Sequence, residues 1–393
     1  MNIRSTVNKI GPLLIGLAYI VWLVTIFRTL GGVDADYGGF VSVSERLLAG
    51  DRLYEQIYEN KDPLFHYLFA SSRLLSPLGS WILNIGWMVL AGVSVWSAGT
   101  QLGLAERSAF FLAGIASPVL LTGASYFPSA SHVPGIVMTF VAVAAALTGR
   151  WFVAGLAVVA VVGVKLIMAP LAFGLVLAVP LYTKKRPGLA TLTGGLAVGI
   201  AALGGVLFLR GELWPYLDNL RLNTVYSQAA AGNAEGLASI RNHLSRVFAE
   251  SNQITVIAIT ISVAVAWAFV TRRLTEFPAL QLTLLFTLGT LAYSLLVLAI
   301  TGLWVHHGLI LIVPAVFSLT ALLLALPMSS FLNSLRSLPM LFLLVWLLAG
   351  SPSPKAYLEP LEYTRAHVNS HFTLSDEARA ITQSGSPTTY MRV

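Results

Sequence analysis

Apolar stretches long enough to cross a bilayer recur along the 393-residue chain, divided by short polar segments. A helix needs about 20 residues to traverse roughly 30 Å of hydrocarbon. Runs of about that length, or somewhat shorter, fall at 11–30, 81–100, 108–125, 133–148, 151–164, 167–182, 189–209, 252–271, 279–301, 308–327 and 338–350. They are continuous rather than alternating, and lipid forces each segment to satisfy its own backbone groups, so they read as helices and not as strands of a barrel. The expectation is an all-α, polytopic integral membrane protein with about 11 transmembrane helices. The first run, Ile10 to Phe27, follows Arg4 and Lys9 and lacks a small-residue cleavage site, which predicts a retained signal anchor.

The stretch from Trp151 to Tyr182 decides the topology. It is too long for one comfortable span and carries Lys165 and Pro170 near its middle, so two short helices meeting at the outer face are predicted. With that split, the turns on one side hold Arg4, Lys9, Arg107, Arg150, Lys184, Lys185, Arg186, Arg272, Arg273 and Arg336 against only Glu106 and Glu276. Basic residues collect in cytoplasmic turns, which predicts a cytoplasmic N-terminus and an extracytoplasmic C-terminus. One unbroken helix would instead put Lys184 to Arg186 outside.

Two long segments then share the outer side, a first loop at 31–80 and a second at 210–251, both within a membrane domain of 1–350. A tail at 351–393 follows, too small to bury a core of its own, and is expected to pack on the outer loops or to be partly disordered. In the first loop Phe40, Val43, Leu47 and Leu48 recur at helical spacing up to Gly50, predicting a short amphipathic helix along the interface. Asp62-Pro63 reads as N-cap and first-turn proline of a second one. Gly232 and Gly236, in the middle of the second loop, suit a hinge or a plain connector.

Composition changes this picture little. The chain is 56% hydrophobic and 10% charged, and its formal net charge of +7 is carried by the inner turns, so nothing calls for nucleic acid. With no cysteine there is no disulfide, thiol nucleophile or thiolate metal site. What stands out is charge in the first loop, because acids persist beside a bilayer mainly where they face water, a partner or a substrate.

That loop carries Asp36, Phe40, Leu48-Ala49-Gly50, Leu53-Tyr54, Ile57-Tyr58 and Asn60-Lys61-Asp62-Pro63-Leu64. The series resembles the opening loop of the GT-C superfamily of polyprenyl-phosphate-sugar-dependent glycosyltransferases, of the protein mannosyltransferase and lipid A aminoarabinose transferase type. Gly163-Val164-Lys165 and His306-His307-Gly308 with Pro314 extend the likeness. Two departures stand beside it. Asp62 occupies the second position of the family's Lys-Pro-Pro motif, and the turn SYFPSASHVPG carries His132 where many relatives carry an acid.

The resemblance implies transfer of a sugar from a polyprenyl-phosphate carrier to a hydroxyl of a lipid, glycan or protein acceptor, with inversion, on the extracytoplasmic face. A phosphate leaves without strong protonation, so such a site needs a general base and cations for the phosphate. By resemblance Asp36 is the base, with Asp34 as a second candidate for base or metal ligand. Lys61 and Lys165 are the phosphate contacts, with His306 and His307 as further substrate contacts. Arg241 and Arg246 could close over a phosphate, while Tyr54 and Tyr58 are candidates for the sugar. The residues fix no cofactor, and a divalent metal is left open.

Plainer roles compete. Asp36 could cap a helix, Lys61 could pair with Glu59 or Asp62, Lys165 could snorkel, and the tyrosines and histidines could mark the interface. Two other functions compete as well, a lipid or glycan translocator without chemistry and an enzyme of the O-antigen ligase or polymerase kind.

Overall fold

A computed structural model of the chain describes residues 35–57, 59, 61–75, 79–106, 109, 112–113, 131–183, 188–230, 278–301 and 309–325. Within them the helices are α1 (Ala35–Leu48), α2 (Pro63–Leu75), α3 (Gly79–Gln101), α4 (His132–Leu147), α5 (Trp151–Lys165), α6 (Ala169–Thr183), α7 (Leu189–Leu209), α8 (Leu213–Ala230), α9 (Pro278–Thr301) and α10 (Ile312–Ala325). Leu53 and Ile57 form an isolated bridge, and the described residues contain no strand. Four helical runs, Ile82–Gln101, Trp151–Pro180, Leu189–Leu209 and Ala279–Leu298, are long and apolar enough to cross a membrane. His132–Leu147 and Leu309–Ala321 are apolar but shorter. The expected spans at 11–30, 252–271 and 338–350, most of 108–125, and the tail after 350 lie outside the described residues.

Two features suit a lipid environment. Ile82, Ile85, Val89, Val93 and Trp96 form an exposed apolar stripe along α3, and Val198, Val206, Phe208 and Leu209 are exposed on α7. At the centre α4 is buried along nearly its whole length. Phe286 of α9 meets Phe317 of α10 edge to face at 4.9 Å, and Phe140 of α4 lies 6.2 Å from the same ring. The buried hydroxyls of α9 turn back on their own helix, Thr283 to Ala279 O at 2.7 Å and Ser294 to Thr290 O at 2.7 Å among them, and Ser294 also reaches Ile310 O at 3.4 Å.

The run from Trp151 to Pro180 is two helices. At Lys165 the backbone becomes extended, with φ −162° and ψ 81°, and a 3₁₀ turn, Leu166–Met168, leads into α6. Directions follow from the small residues between α5 and α7. A Cβ on Gly155 would lie 2.5 Å from Leu192 O, one on Gly199 2.8 Å from Val159 Cβ, and one on Gly163 3.3 Å from Leu203. The pairs advance the same way along both helices, so α5 and α7 are parallel and in close backbone contact, as glycine permits. Gly188 at the start of α7 abuts Trp151 at the start of α5. The intervening α6 therefore returns antiparallel, the split expected from the length of this run and from Lys165 and Pro170 near its middle.

The two short helices of the first loop are present, with one difference. Phe40, Val43 and Leu47 of α1 are buried within the protein, against α2 and the loop that follows α1, while Leu48 is 44% exposed. The apolar face expected along the interface is thus mostly covered by protein, because α2 offers it a complementary apolar side. Gly50 ends α1 with φ 101°, a left-handed value that suits glycine.

Candidate functional site

The reversal between α5 and α6 is the floor of the site, and Gly163-Val164-Lys165 explains how the first loop reaches it. A Cβ on Gly163 would sit 2.8 Å from Leu64 Cβ, so only glycine lets α2 approach this closely. Val164, fully buried, packs with Phe40, Phe65 and Phe69. One residue on, the chain breaks, and the Asp62 carboxylate accepts the Leu166 amide at 2.8 Å. Its other oxygen accepts the Tyr216 hydroxyl of α8 at 2.9 Å.

This corrects the expectation that Asp62 caps α2. Its oxygens are taken by donors 104 and 154 residues away rather than by the amides of its own helix. The carboxylate is a junction between the first loop, the broken helix and α8. Burial pushes its carboxyl above the usual carboxylate range, opposed by the Leu166 amide, Lys165, Tyr216 and Lys61. Both predicted phosphate lysines thus act on one carboxylate. Lys165 Nζ also lies 3.4 Å from Ser131 Oγ at the head of α4, and Lys61 Nζ stands 6.0 Å from the centre of the Phe40 ring.

Tyr54 shapes the segment between the helices. Its φ of 67° is left-handed, unusual for a residue with a side chain. The conformation is held by its amide donating to Ile57 O at 2.8 Å, by its hydroxyl donating to Lys61 O at 2.7 Å, and by its ring against Tyr216 at 5.1 Å. The hydroxyl proposed for sugar contact is therefore committed to the backbone beside Lys61. Burial, then the Asp62 charge, raise the Tyr54 and Tyr216 phenols, so both remain protonated donors.

A second carboxylate ties the loop down. Glu212, fully buried between α7 and α8, accepts from the Leu53 amide at 2.9 Å, from Arg210 Nε at 2.9 Å and from the Tyr67 hydroxyl. Arg210 in turn donates to Asp51 O at 3.0 Å and covers the Tyr67 ring at 5.5 Å. Around the rim, Arg46 pairs with Asp51 at 2.6 Å.

Deeper, on α2, His66 is fully buried and, among the described residues, neither ring nitrogen has a hydrogen-bond partner. Glu59 Oε2 is 4.0 Å from its Nε2. Burial pulls the imidazole down to about 4, with Glu59 opposing and Lys61 adding to the shift. Asn219 of α8 donates from Nδ2 to Glu59 O at 2.9 Å, while its buried Oδ1 is unpartnered.

Of the residues expected from sequence, Lys61, Lys165 and Tyr54 come together here. Asp36 lies in α1, one turn before Phe40, and its side chain is outside the described residues, as are Asp34, Tyr58, Arg241, Arg246, His306 and His307. His132 heads α4, buried. Among the described residues no three metal-ligating side chains gather, and the oxygens of Asp62 and Glu212 are engaged by protein donors. Sequence reasoning missed Glu212, Tyr216, Asn219 and Tyr67. The one signal for Glu212 was a lone acid directly after an apolar span. Compared with family models, with curated proteins and with solved structures, the chain matches none of them.

Proposed function

We propose that the chain is a membrane glycosyltransferase of the GT-C type, which moves a sugar from a polyprenyl-phosphate carrier to an acceptor hydroxyl on the extracytoplasmic face. The observation that carries this reading is that Lys61 and Lys165, from separate segments, flank one junction: Lys61 directly precedes Asp62, and Lys165 directly precedes the Leu166 amide that Asp62 accepts at 2.8 Å. Two ammonium groups brought to a helix break suit a phosphate leaving group, whose negative charge grows as it departs.

In the reaction, Asp36 takes the proton of the acceptor hydroxyl as its oxygen attacks the anomeric carbon. The bond from that carbon to the phosphate oxygen breaks on the opposite face, so configuration inverts. The polyprenyl phosphate leaves with the bonding pair, and Lys61 and Lys165 stabilise its growing charge. Asp62 positions both lysines and keeps the α5 to α6 break open beneath them. The first loop, Lys165 and Glu212 share one end of the bundle, and on this reading the charge asymmetry of the turns assigns that end to the outside.

The test incubates membranes holding the full chain with labelled polyprenyl-phosphate sugars. Wild type should transfer label, Asp36→Asn should lose transfer while still binding donor, and Lys61→Ala should lose donor binding. Full transfer by Asp36→Asn removes the base assignment. Binding without turnover by wild type, for every donor and acceptor, favours the translocator.

A further inference from the structure

We propose that His66, Asn219 and Glu59 form the hydroxyl-binding wall of a monosaccharide subsite beside Lys61, an inference that rests on the transferase reading. Its basis is two buried polar side chains from different helices, each with hydrogen-bonding atoms left over and each against Glu59. His66 is 0% and Asn219 4% exposed, and among the described residues His66 Nδ1, His66 Nε2 and Asn219 Oδ1 have no partner. Leaving such groups unmet in a folded core is costly, and an apolar residue at position 66 would fit its aromatic neighbours Phe40 and Phe65 without that cost.

The atoms on offer define the ligand. A neutral imidazole gives one donor and one acceptor. Asn219, with its Nδ2 spent on Glu59 O, gives an acceptor. Glu59, whose Oε1 accepts the Lys61 amide at 3.2 Å, places Oε2 4.0 Å from His66 Nε2 and is 15% exposed, so the group reaches the surface there. This set is rich in acceptors and holds one donor. Vicinal hydroxyls match it, since each can donate and accept, whereas a phosphate has no hydrogen to give Asn219 Oδ1. The phosphate is provided for next door: the imidazole and Lys61 Nζ both stand against the Phe40 ring, 5.9 Å and 6.0 Å from its centre.

The full chain in lipid nanodiscs is titrated with polyprenyl-phosphate mannose, glucose and arabinofuranose, and with polyprenyl phosphate lacking a sugar. Wild type should bind at least one sugar-bearing carrier more tightly than the bare one. His66→Phe and Asn219→Leu should erase that preference, a loss of about tenfold or more, with bare-carrier affinity unchanged, and His66→Gln should restore part of it. Thermal melting checks folding, and if His66→Phe does not fold, Asn219→Leu and Glu59→Gln decide the matter. Variants that keep the wild-type preference overturn the proposal. If wild type binds no carrier and Lys61→Ala changes nothing, the transferase reading fails separately. Methyl glycosides of the same sugars then probe the wall alone: binding lost in His66→Phe upholds it, and no binding by wild type removes it.

Discussion

Replacing Glu212 with alanine removes, in one step, the acceptor of three donors. The Leu53 amide is the expensive one: it is fully buried, and stranding it costs about 1–3 kcal/mol. The Tyr67 hydroxyl is half-buried and regains water, so its share is about 1 kcal/mol at most. Arg210 is 35% exposed and keeps its bond to Asp51 O, so its lost pair falls in the range of about 0–1 kcal/mol found for screened ion pairs. The expected cost is about 1–5 kcal/mol, concentrated on the Leu53 to Ile57 turn, and Glu212→Gln, which keeps one acceptor, should lose less. Hydrogen exchange read by mass spectrometry on the full chain in micelles measures this directly. At about 1.36 kcal/mol per factor of ten, peptides covering 51–57 should exchange from about fivefold to a few thousand-fold faster in Glu212→Ala. Exchange within threefold of wild type would refute the claim that Glu212 anchors the loop.

Three further outcomes are expected. His66 sits near 4, below its ordinary 6.5, so as pH falls through that window the unfolded chain takes up a proton that the folded one refuses. Stability contributed by the neutral imidazole is complete above pH 6.5 and declines by about 3 kcal/mol toward pH 4; melting curves at pH 7 and 4.5 should show a smaller drop for His66→Phe than for wild type. Gly195 touches the Phe152 carbonyl so closely that a β-carbon has no room, and Gly195→Val should force α5 and α7 apart, lowering stability by about 1–3 kcal/mol in the same melting assay; an unchanged melting temperature contradicts the parallel packing. Asp62→Ala should strand the part-buried Leu166 amide and free Tyr216, costing about 1–3 kcal/mol, with faster exchange in both 61–64 and 165–168; a change in only one segment contradicts the junction.

The spans were legible because lipid imposes length and apolarity, which are local properties. The expected run at 189–209 coincides with Leu189–Leu209, and the break at Lys165 followed from a run too long for one span with Lys165 and Pro170 near its middle. The site was legible only in part. Lys61 and Lys165 came from a resemblance, and each sits in a recognisable short motif. Glu212, Tyr216 and Asn219 left almost no trace, because their partners are 159, 154 and 160 residues away and α8 has little apolar periodicity. Asp62 shows the converse error. Asp-Pro is a strong local signal for a helix start, and the position is indeed just before α2, yet the carboxylate found better donors across the fold. The buried face of α1 was predicted from spacing, but spacing does not say whether lipid or protein will cover it.

The long reach of those bonds sets an order for making the protein. The Leu53 amide waits for Glu212, and Asp62 waits first for Leu166 and then for Tyr216. At a synthesis rate of ~5–20 residues per second, some 160 residues take roughly 10–30 s. During that interval the first loop is made but lacks most of its anchors. The site is thus completed only once about 220 of the 393 residues exist, and a nascent chain that stalls between residues 166 and 212 carries Lys61 and Lys165 with Asp62 and Leu166 as the one long-range bond fixing the loop.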